Sequence, residues 1–171
     1  MGKNSLACLT VLAATTAACT TAPEGEPAAQ VQTSRFAMDQ SEPLLALADH
    51  ILGNYFASDM TRRPTICVSA HDGRSEVALP QEQELALMTQ YSALAPFARC
   101  GMVDGAWQDS ETGDPAMVFN IHSFTCSDDA HCSGFGGYMA GNSSSISSRY
   151  VMEWGGEGWT FTRDDRLVGA E

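Results

Sequence analysis

His122 is the side chain in this sequence whose type and position are best suited to chemistry. It follows a stretch in which the apolar Met117, Phe119 and Ile121 occupy every second position. This alternation predicts a β-strand with those residues on one face and with Asn120 and His122 on the other. An imidazole has an ordinary pKa near ~6.5, so His122 could act as a general acid or base if a carboxylate oriented it. The sequence does not identify that carboxylate, and a histidine that merely packs on a half-exposed sheet face is the alternative.

Two further patterns contain residue types of known catalytic or phosphate-binding sites, but their spacing argues against that chemistry. Ser69, His71 and Asp72 are the residue types of a catalytic serine triad, yet near neighbours at one strand end cannot normally adopt its geometry. The sequence has no G-x-S-x-G motif. The glycines of 134–141 precede serines and a predicted strand, whereas a dinucleotide-binding loop precedes a helix. These glycines are more typical of a strand that bends or bulges.

Four cysteines lie beyond residue 19. An even number is typical of a disulfide framework in an exported chain, and the first residues, described below, indicate export, so we predict two disulfide bonds. Three pairings are open. We favour Cys126 with Cys132, which closes a short loop, and Cys67 with Cys100, which ties the first predicted strand to the later sheet. The aspartates and histidine of 128–131 raise zinc binding as an alternative, but the thiols are farther apart than in the usual C-x₂₋₄-C spacing. We therefore expect no metal site and no cofactor.

The charge of the chain limits its partners. The 171 residues include 21 acidic and 9 basic ones, for a formal net charge of −12. This charge argues against nucleic acids and anionic membrane surfaces as partners. Lys3 is the only lysine, so the chain beyond it cannot form a lysine Schiff base or use the lysine of a P-loop.

The hydrophobic pattern places helices first and strands afterwards. Apolar residues at helical spacing predict two helices, one at 44–55 with Ser41 as its cap and one at 81–94 with the stripe Leu85, Met88, Tyr91 and Leu94. Alternating patterns predict strands at 65–70, 117–122, 149–154 and 159–163, with weaker candidates at 100–106 and 133–140. The serine run at 142–148 is predicted to be a hairpin loop. This order predicts an α+β domain, with two helices packed on a curved antiparallel sheet meander. Disulfide bonds are expected to cross-link this domain.

The element order of 41–171 resembles cystatin-like folds and the cone-shaped nuclear-transport-factor-like family. That family includes both pocket-bearing enzymes and binding modules, so the resemblance implies a fold and leaves the function open.

The first residues resemble the lipobox signal of bacterial lipoproteins. Lys3 gives the segment a positively charged start, and an apolar stretch follows at residues 6–14. The segment ends in the small residues Thr16-Ala17-Ala18 and the thiol of Cys19. The family has Leu where this chain has Thr16. The resemblance implies a lipid on Cys19 and a chain tethered to the cell envelope, facing the periplasm or the exterior. An ordinary secretory peptide cut near Ala29, which would leave a periplasmic protein, is the alternative.

These observations predict three segments and two classes of function. We expect a signal peptide at 1–19, a flexible tether at 20–40 and a single α+β domain at 41–171. The first function is a non-catalytic lipoprotein that contacts the membrane through Cys19 and binds an envelope protein or a small ligand. The alternative is a small cone-fold hydrolase or isomerase that uses His122 in an apolar pocket. An enclosed cavity with a carboxylate beside His122 would favour the enzyme.

Overall fold

The structure, a computed structural model, describes residues 34–58, 60, 62–141 and 144–164. Contacts divide the chain into two units, Met1–Val31 and Gln32–Glu171. The first unit, which holds the predicted signal peptide and Cys19, lies outside the described residues, as does the tether up to residue 33. None of the described helices is long and apolar enough to cross a membrane.

Helix α1 spans Pro43–Phe56, close to the predicted position. Proline suits the first turn of a helix because its missing N–H would be unpaired there in any case. The predicted cap at Ser41 is wrong: Glu42 occupies the N-cap position, and the Ser41 hydroxyl donates instead to Asp39 Oδ1 at 2.6 Å.

Helix α2 spans Gln81–Gln90 and is shorter than predicted. Tyr91 leaves the helical region with φ −116° and ψ 88°, so Leu94 lies beyond the helix, where it bridges to Ile66. The predicted stripe is also wrong at Leu85, which is exposed, whereas Leu87 is buried. Helix α2 has ten residues and few apolar side chains. Contacts with the rest of the fold therefore decide which of its faces is buried.

Eight strands form two sheets. The strands are β1 (Thr65–His71), β2 (Glu76–Ala78), β3 (Cys100–Val103), β4 (Ala106–Asp109), β5 (Ala116–Asp128), β6 (His131–Ala140), β7 (Ser144–Trp154) and β8 (Trp159–Asp164). The larger sheet has six strands in the order β2-β1-β5-β6-β7-β8, and β3 pairs with β4 alone. With two helices, this is an α+β fold that consists mostly of sheet.

The predicted all-antiparallel meander is wrong at the centre of the sheet. β1 and β5 are parallel, with Thr65 opposite Ala116 and Ala70 opposite Ile121. Between these strands the chain forms β2, α2, β3 and β4, and such a crossover returns it in the same direction. The sheet is therefore mixed.

The prediction of a loop for the serine run at 142–148 is wrong from Ser144 onward, where the chain is a strand; 142 and 143 lie outside the described residues. β7 begins at Ser144, and its residues pair with β6 through Met139 opposite Ser145 and Gly137 opposite Ser147. Ser148 on the other side of β7 is buried. Serine has little β-propensity of its own, so the pairing with β6 decides the conformation here.

One apolar cluster joins α1 to the sheet. It includes Leu47 and Leu52 from α1 and Phe119 and Met152 from the strands. The ring of Tyr55 packs edge-on against Phe119 at 5.0 Å between centroids. These contacts place the apolar face of β5, predicted from its alternation, against α1.

Two glycines of β6 are required by close approaches. A Cβ at Gly136 would overlap the Ile51 side chain of α1, and a Cβ at Gly137 would overlap the backbone carbonyl oxygen of Ile146 on β7. The glycines therefore let α1 and β7 approach β6.

The residues just before α1 pack on the domain. Phe36 and Ala37 are buried. The Trp159 backbone N–H donates to Ala37 O at 2.7 Å, and its indole N–H donates to Asp39 O at 3.0 Å. The described part of the predicted tether, 34–40, is thus folded against the domain, because aromatic and backbone groups within it find partners there.

Both predicted disulfides are confirmed. Cys67 is bonded to Cys100 and Cys126 to Cys132. The zinc alternative at the second pair is wrong, because its thiols are consumed in the disulfide. In the described residues, no group of three or more His, Cys, Asp or Glu side chains could hold a metal ion.

Candidate functional site

The face of the large sheet that carries His122 holds a set of polar side chains from four strands. Register places Ser69 of β1 beside Asn120 of β5, and Asn120 across Gly137 of β6 from Ser147 of β7. Side chains at paired positions share one face. We call this surface the polar face and define it by Ser69, Glu76, Asn120, His122 and Ser147.

His122 is fixed on the polar face by three contacts. Its Nε2 forms a hydrogen bond with Ser147 Oγ at 3.2 Å, and its Nδ1 forms one with Ser123 Oγ at 3.4 Å. Its ring stacks on Phe135, with 5.0 Å between centroids and 9° between planes. The imidazole therefore has one defined orientation, with Nε2 directed at a hydroxyl group.

A β-bulge follows His122 directly. The pairing of β5 with β6 shifts register between His122 and Thr125. Ser123 has φ 52°, in the left-handed region that residues other than glycine rarely adopt. Bulges and such backbone conformations are often found at functional sites, where they aim a side chain. Here the bulge brings the Ser123 hydroxyl to His122 Nδ1.

Glu76 is the carboxylate near His122 that the sequence did not identify. It influences His122 through its negative charge and forms its hydrogen bonds with other residues. The Ser69 hydroxyl donates to Glu76 Oε2 at 2.6 Å, and the Asn120 amide donates to Oε1 at 3.3 Å. Ser69 is fully buried. Among the described residues, no carboxylate is hydrogen-bonded to His122. The criterion for the enzyme, a carboxylate within hydrogen-bond reach, is therefore not met.

His122 has a lowered pKa. Partial burial lowers the pKa of its imidazole most, the negative charge of Glu76 raises it, and the proximity of His71 lowers it. The imidazole is therefore neutral at pH 7, and a neutral imidazole can accept a proton.

The residues of the serine-triad pattern are brought to separate partners. Ser69 donates to Glu76, whereas His71 Nδ1 accepts the backbone N–H of the second residue after it. Asp72 accepts two backbone N–H groups of the following turn, which lower the pKa of its carboxyl group. They form no triad, as their spacing predicted.

One groove in the described residues lies away from His122. It is an open groove of about 420 Å³ lined by Gln40, Ser41, Pro43, Cys126, Asp128, Asp129 and Cys132. His131 Nδ1 pairs with Asp128 Oδ1 at 2.7 Å beside it. His122 does not line this groove, so this groove is not the apolar pocket around His122 that the enzyme alternative requires.

Sequence reasoning missed Ser147. The serine run was assigned to a loop, and a loop residue two strands away cannot be placed beside His122. The available signal was the alternation that continues backward from Tyr150: Ser148 and Ile146 occupy one face of β7, and Ser147 occupies the other.

Comparisons with family models, with curated proteins and with solved structures found no match.

Proposed function

We propose that this protein is an envelope-tethered lipoprotein whose domain binds a small ligand or a protein partner on the polar face. The lipobox-type run that ends at Cys19 supports the tether. The position of α1 on the apolar side of β5 supports the binding surface. In this proposal both helices cover one face of the sheet and leave the polar face available to a ligand.

The observation that carries the proposal is the pre-arranged network of Ser69, Glu76 and Asn120. Its hydrogen bonds fix a carboxylate and an amide before any ligand arrives. Groups held in place in this way lose little freedom on binding, so their contacts count more fully toward affinity. The same network is partly buried, which strengthens its polar interactions.

Charge restricts the ligand that this face would accept. The chain carries a formal net charge of −12, and Glu76 adds a negative charge within the network. A neutral or cationic ligand fits this potential, whereas a polyanion such as a nucleic acid is repelled.

Binding can be tested by nitrogen-15 NMR with a library of neutral and cationic polar compounds. We expect the shifted amide signals to cluster around Asn120 and Ser147. Asn120→Ala should weaken the affinity at least ~10-fold, the value of one lost hydrogen bond in a partly buried network. Ser145→Ala, an exposed serine on the same face of β7, is the matched control and should leave affinity unchanged. Shifts confined to the groove at Cys126 and Cys132 would refute the assignment.

The tether is tested by fractionation in a bacterial host. The full-length protein should be found with membranes, and Cys19→Ser should release it or block its processing. Normal processing and membrane association of the Cys19→Ser protein would show that the lipobox assignment is wrong.

The hydrolase or isomerase remains a second candidate function, and the hydrogen bond between His122 Nε2 and Ser147 Oγ favours it. His122→Gln separates the two functions. If His122 is structural, glutamine should change the stability by about 1 to 2 kcal/mol and preserve ligand binding, because it keeps a hydrogen-bonding group. If His122 is catalytic, turnover should fall by roughly 10² to 10⁴ while the melting temperature stays almost constant.

A further inference from the structure

We infer that Ser147 is a nucleophilic serine that His122 activates, and that it accepts an acyl group from a neutral or cationic ester. This inference rests on the second candidate function and deepens it, since it names the nucleophile and the class of substrate. The observation that supports it is the hydrogen bond between His122 of β5 and Ser147 of β7.

The geometry of the pair suits proton transfer. Ser147 Oγ lies 3.2 Å from His122 Nε2, within the range of a nucleophile and its base. The stacked ring of Phe135 and the hydroxyl of Ser123 hold the imidazole on its other sides. A base oriented by further groups is the arrangement that activates serine in unrelated hydrolases.

The protonation state of His122 suits the same role. Partial burial keeps the imidazole neutral at pH 7 by lowering its pKa, so Nε2 is able to take the hydroxyl proton. Glu76 raises the pKa of His122 through its charge, which means that it stabilises the imidazolium formed when the proton arrives. The carboxylate thus contributes at a distance, without contact with the imidazole.

Ser147 differs from its neighbours on β7. Of the β7 serines whose side chains are described, at 145, 147 and 148, Ser147 alone is hydrogen-bonded to a histidine. Ser148 is buried on the other face, and Ser145 is exposed. Ser145 therefore provides a reference for the ordinary reactivity of a serine in this strand.

The proposed step is an acyl transfer with no change in oxidation state. Ser147 Oγ attacks the ester carbonyl carbon, its proton passes to His122 Nε2, and a tetrahedral intermediate forms. The intermediate collapses as the bond from carbon to the leaving oxygen breaks. His122 returns the proton to that oxygen, so an alcohol departs and an acyl-serine remains. Water then attacks the carbonyl carbon of the acyl-serine and gives a proton to His122 Nε2. As the bond from carbon to Ser147 Oγ breaks, His122 returns the proton to Oγ and the acid is released.

The substrate class follows from the surroundings of the pair. Ser147 is partly exposed, so a small acyl group can reach its hydroxyl. The net charge of −12 disfavours anionic esters. Neutral p-nitrophenyl acetate and a neutral alkyl fluorophosphonate are therefore suitable probes.

The experiment measures covalent labelling by the fluorophosphonate and release of p-nitrophenol from the acetate. We expect one label per folded chain, mapped by peptide mass spectrometry to Ser147, and none on heat-unfolded protein. Ser147→Ala should abolish labelling, and His122→Gln should slow it at least ~100-fold. Ser145→Ala should label at the rate of the unchanged protein. The rate should rise with pH as His122 loses its proton and then level off.

Three results would overturn the inference. They are labelling that survives Ser147→Ala, labelling that His122→Gln leaves unchanged, and an unlabelled folded protein. Circular dichroism and the melting temperature of each variant establish that it is folded, and His122→Gln provides a second variant if Ser147→Ala is unstable. Binding of a ligand in the NMR experiment without any labelling would reject the nucleophile and retain the binding module.

Discussion

Arg99 holds the buried carboxylate of Asp109 through two parallel hydrogen bonds. Nε donates to Oδ1 at 2.8 Å and Nη2 donates to Oδ2 at 2.7 Å. Thr65 of β1 donates a third hydrogen bond at 2.6 Å. The interaction joins the small β3–β4 sheet to the large sheet, and Cys100, which is paired with Asp109 across β3 and β4, adds the covalent link to Cys67.

Arg99→Gln should destabilise the protein, because it leaves the Asp109 carboxylate buried without its cation. We expect the melting temperature at pH 7 to fall by on the order of 5 to 10 °C. Glu111→Gln is the matched control: Glu111 also pairs with Arg99, at 3.1 Å, but its side chain is largely exposed, so its loss should change little. An equal loss in both variants would contradict the role assigned to the buried pair.

The same pair predicts a pH dependence. Hydrogen bonds from Arg99 hold the pKa of Asp109 well below its ordinary value. A carboxyl group with a lowered folded-state pKa stabilises the fold above its unfolded pKa of about 3.9, and this contribution is lost as the pH falls further. The difference in stability between the unchanged protein and Arg99→Gln should therefore stay constant from pH 7 to about 4.5 and shrink below about 4. Acid titration followed by circular dichroism measures it.

The two β6 glycines should differ in their tolerance of alanine. At Gly136 the added Cβ meets the end of the Ile51 side chain, which can be shortened, whereas at Gly137 it meets the backbone of Ile146. We expect Gly136→Ala to cost about 1 to 3 kcal/mol in urea unfolding, and Ile51→Val to recover part of that loss. Gly137→Ala should cost more, without rescue from Ile51→Val. A rescue of both variants would contradict the difference between side-chain and backbone contact.

The two disulfides should contribute unequally to stability. Cys67 and Cys100 are separated by 33 residues, and Cys126 and Cys132 by 6. In the loop-entropy model the longer link contributes about 4 kcal/mol and the shorter about 2 kcal/mol. Urea unfolding of the two double alanine variants tests this order. A larger loss from the shorter link would mean that contacts of the folded state outweigh loop entropy.

Phe36 should behave as a core residue although it precedes both helices. Phe36→Ala should lower the free energy of unfolding by about 3 kcal/mol, because the buried ring leaves a cavity. Met38, two residues on, is 54% exposed, and Met38→Ala should stay within ~0.5 kcal/mol of the unchanged protein. Equal and small effects of the two substitutions would show that 34–40 does not belong to the domain in solution.

Local patterns predicted much of this fold because they depend on nearby residues. The alternation from Met117 to Ile121 predicts the strand and its apolar face, and the alternation at 149–154 and 159–163 predicts the two strands that pair as β7 and β8. The disulfide pairing favoured among the three possible ones is confirmed as well. Each of these features is decided within a short stretch or by a small number of alternatives.

The features that escaped prediction depend on partners that are distant in sequence. The parallel pairing of β1 with β5 depends on the path of the intervening chain. The serine run becomes a strand because β6 supplies its hydrogen bonds. For the candidate site, His122 could be singled out by its strand position, but Ser147 could not, because it becomes its neighbour only after two strand pairings are set.

The parallel pairing at the centre of the sheet also governs how the chain folds in time. Thr65 pairs with Ala116, so a loop of about fifty residues must close before the central pair of strands forms. Pairing between residues so far apart in sequence is slow. The Cys67–Cys100 bond shortens that search, since it leaves only the stretch beyond Cys100 to be closed. The chain with reduced cysteines should therefore fold more slowly than the chain with the disulfide formed. The folding rate thus depends on the redox state of the surroundings.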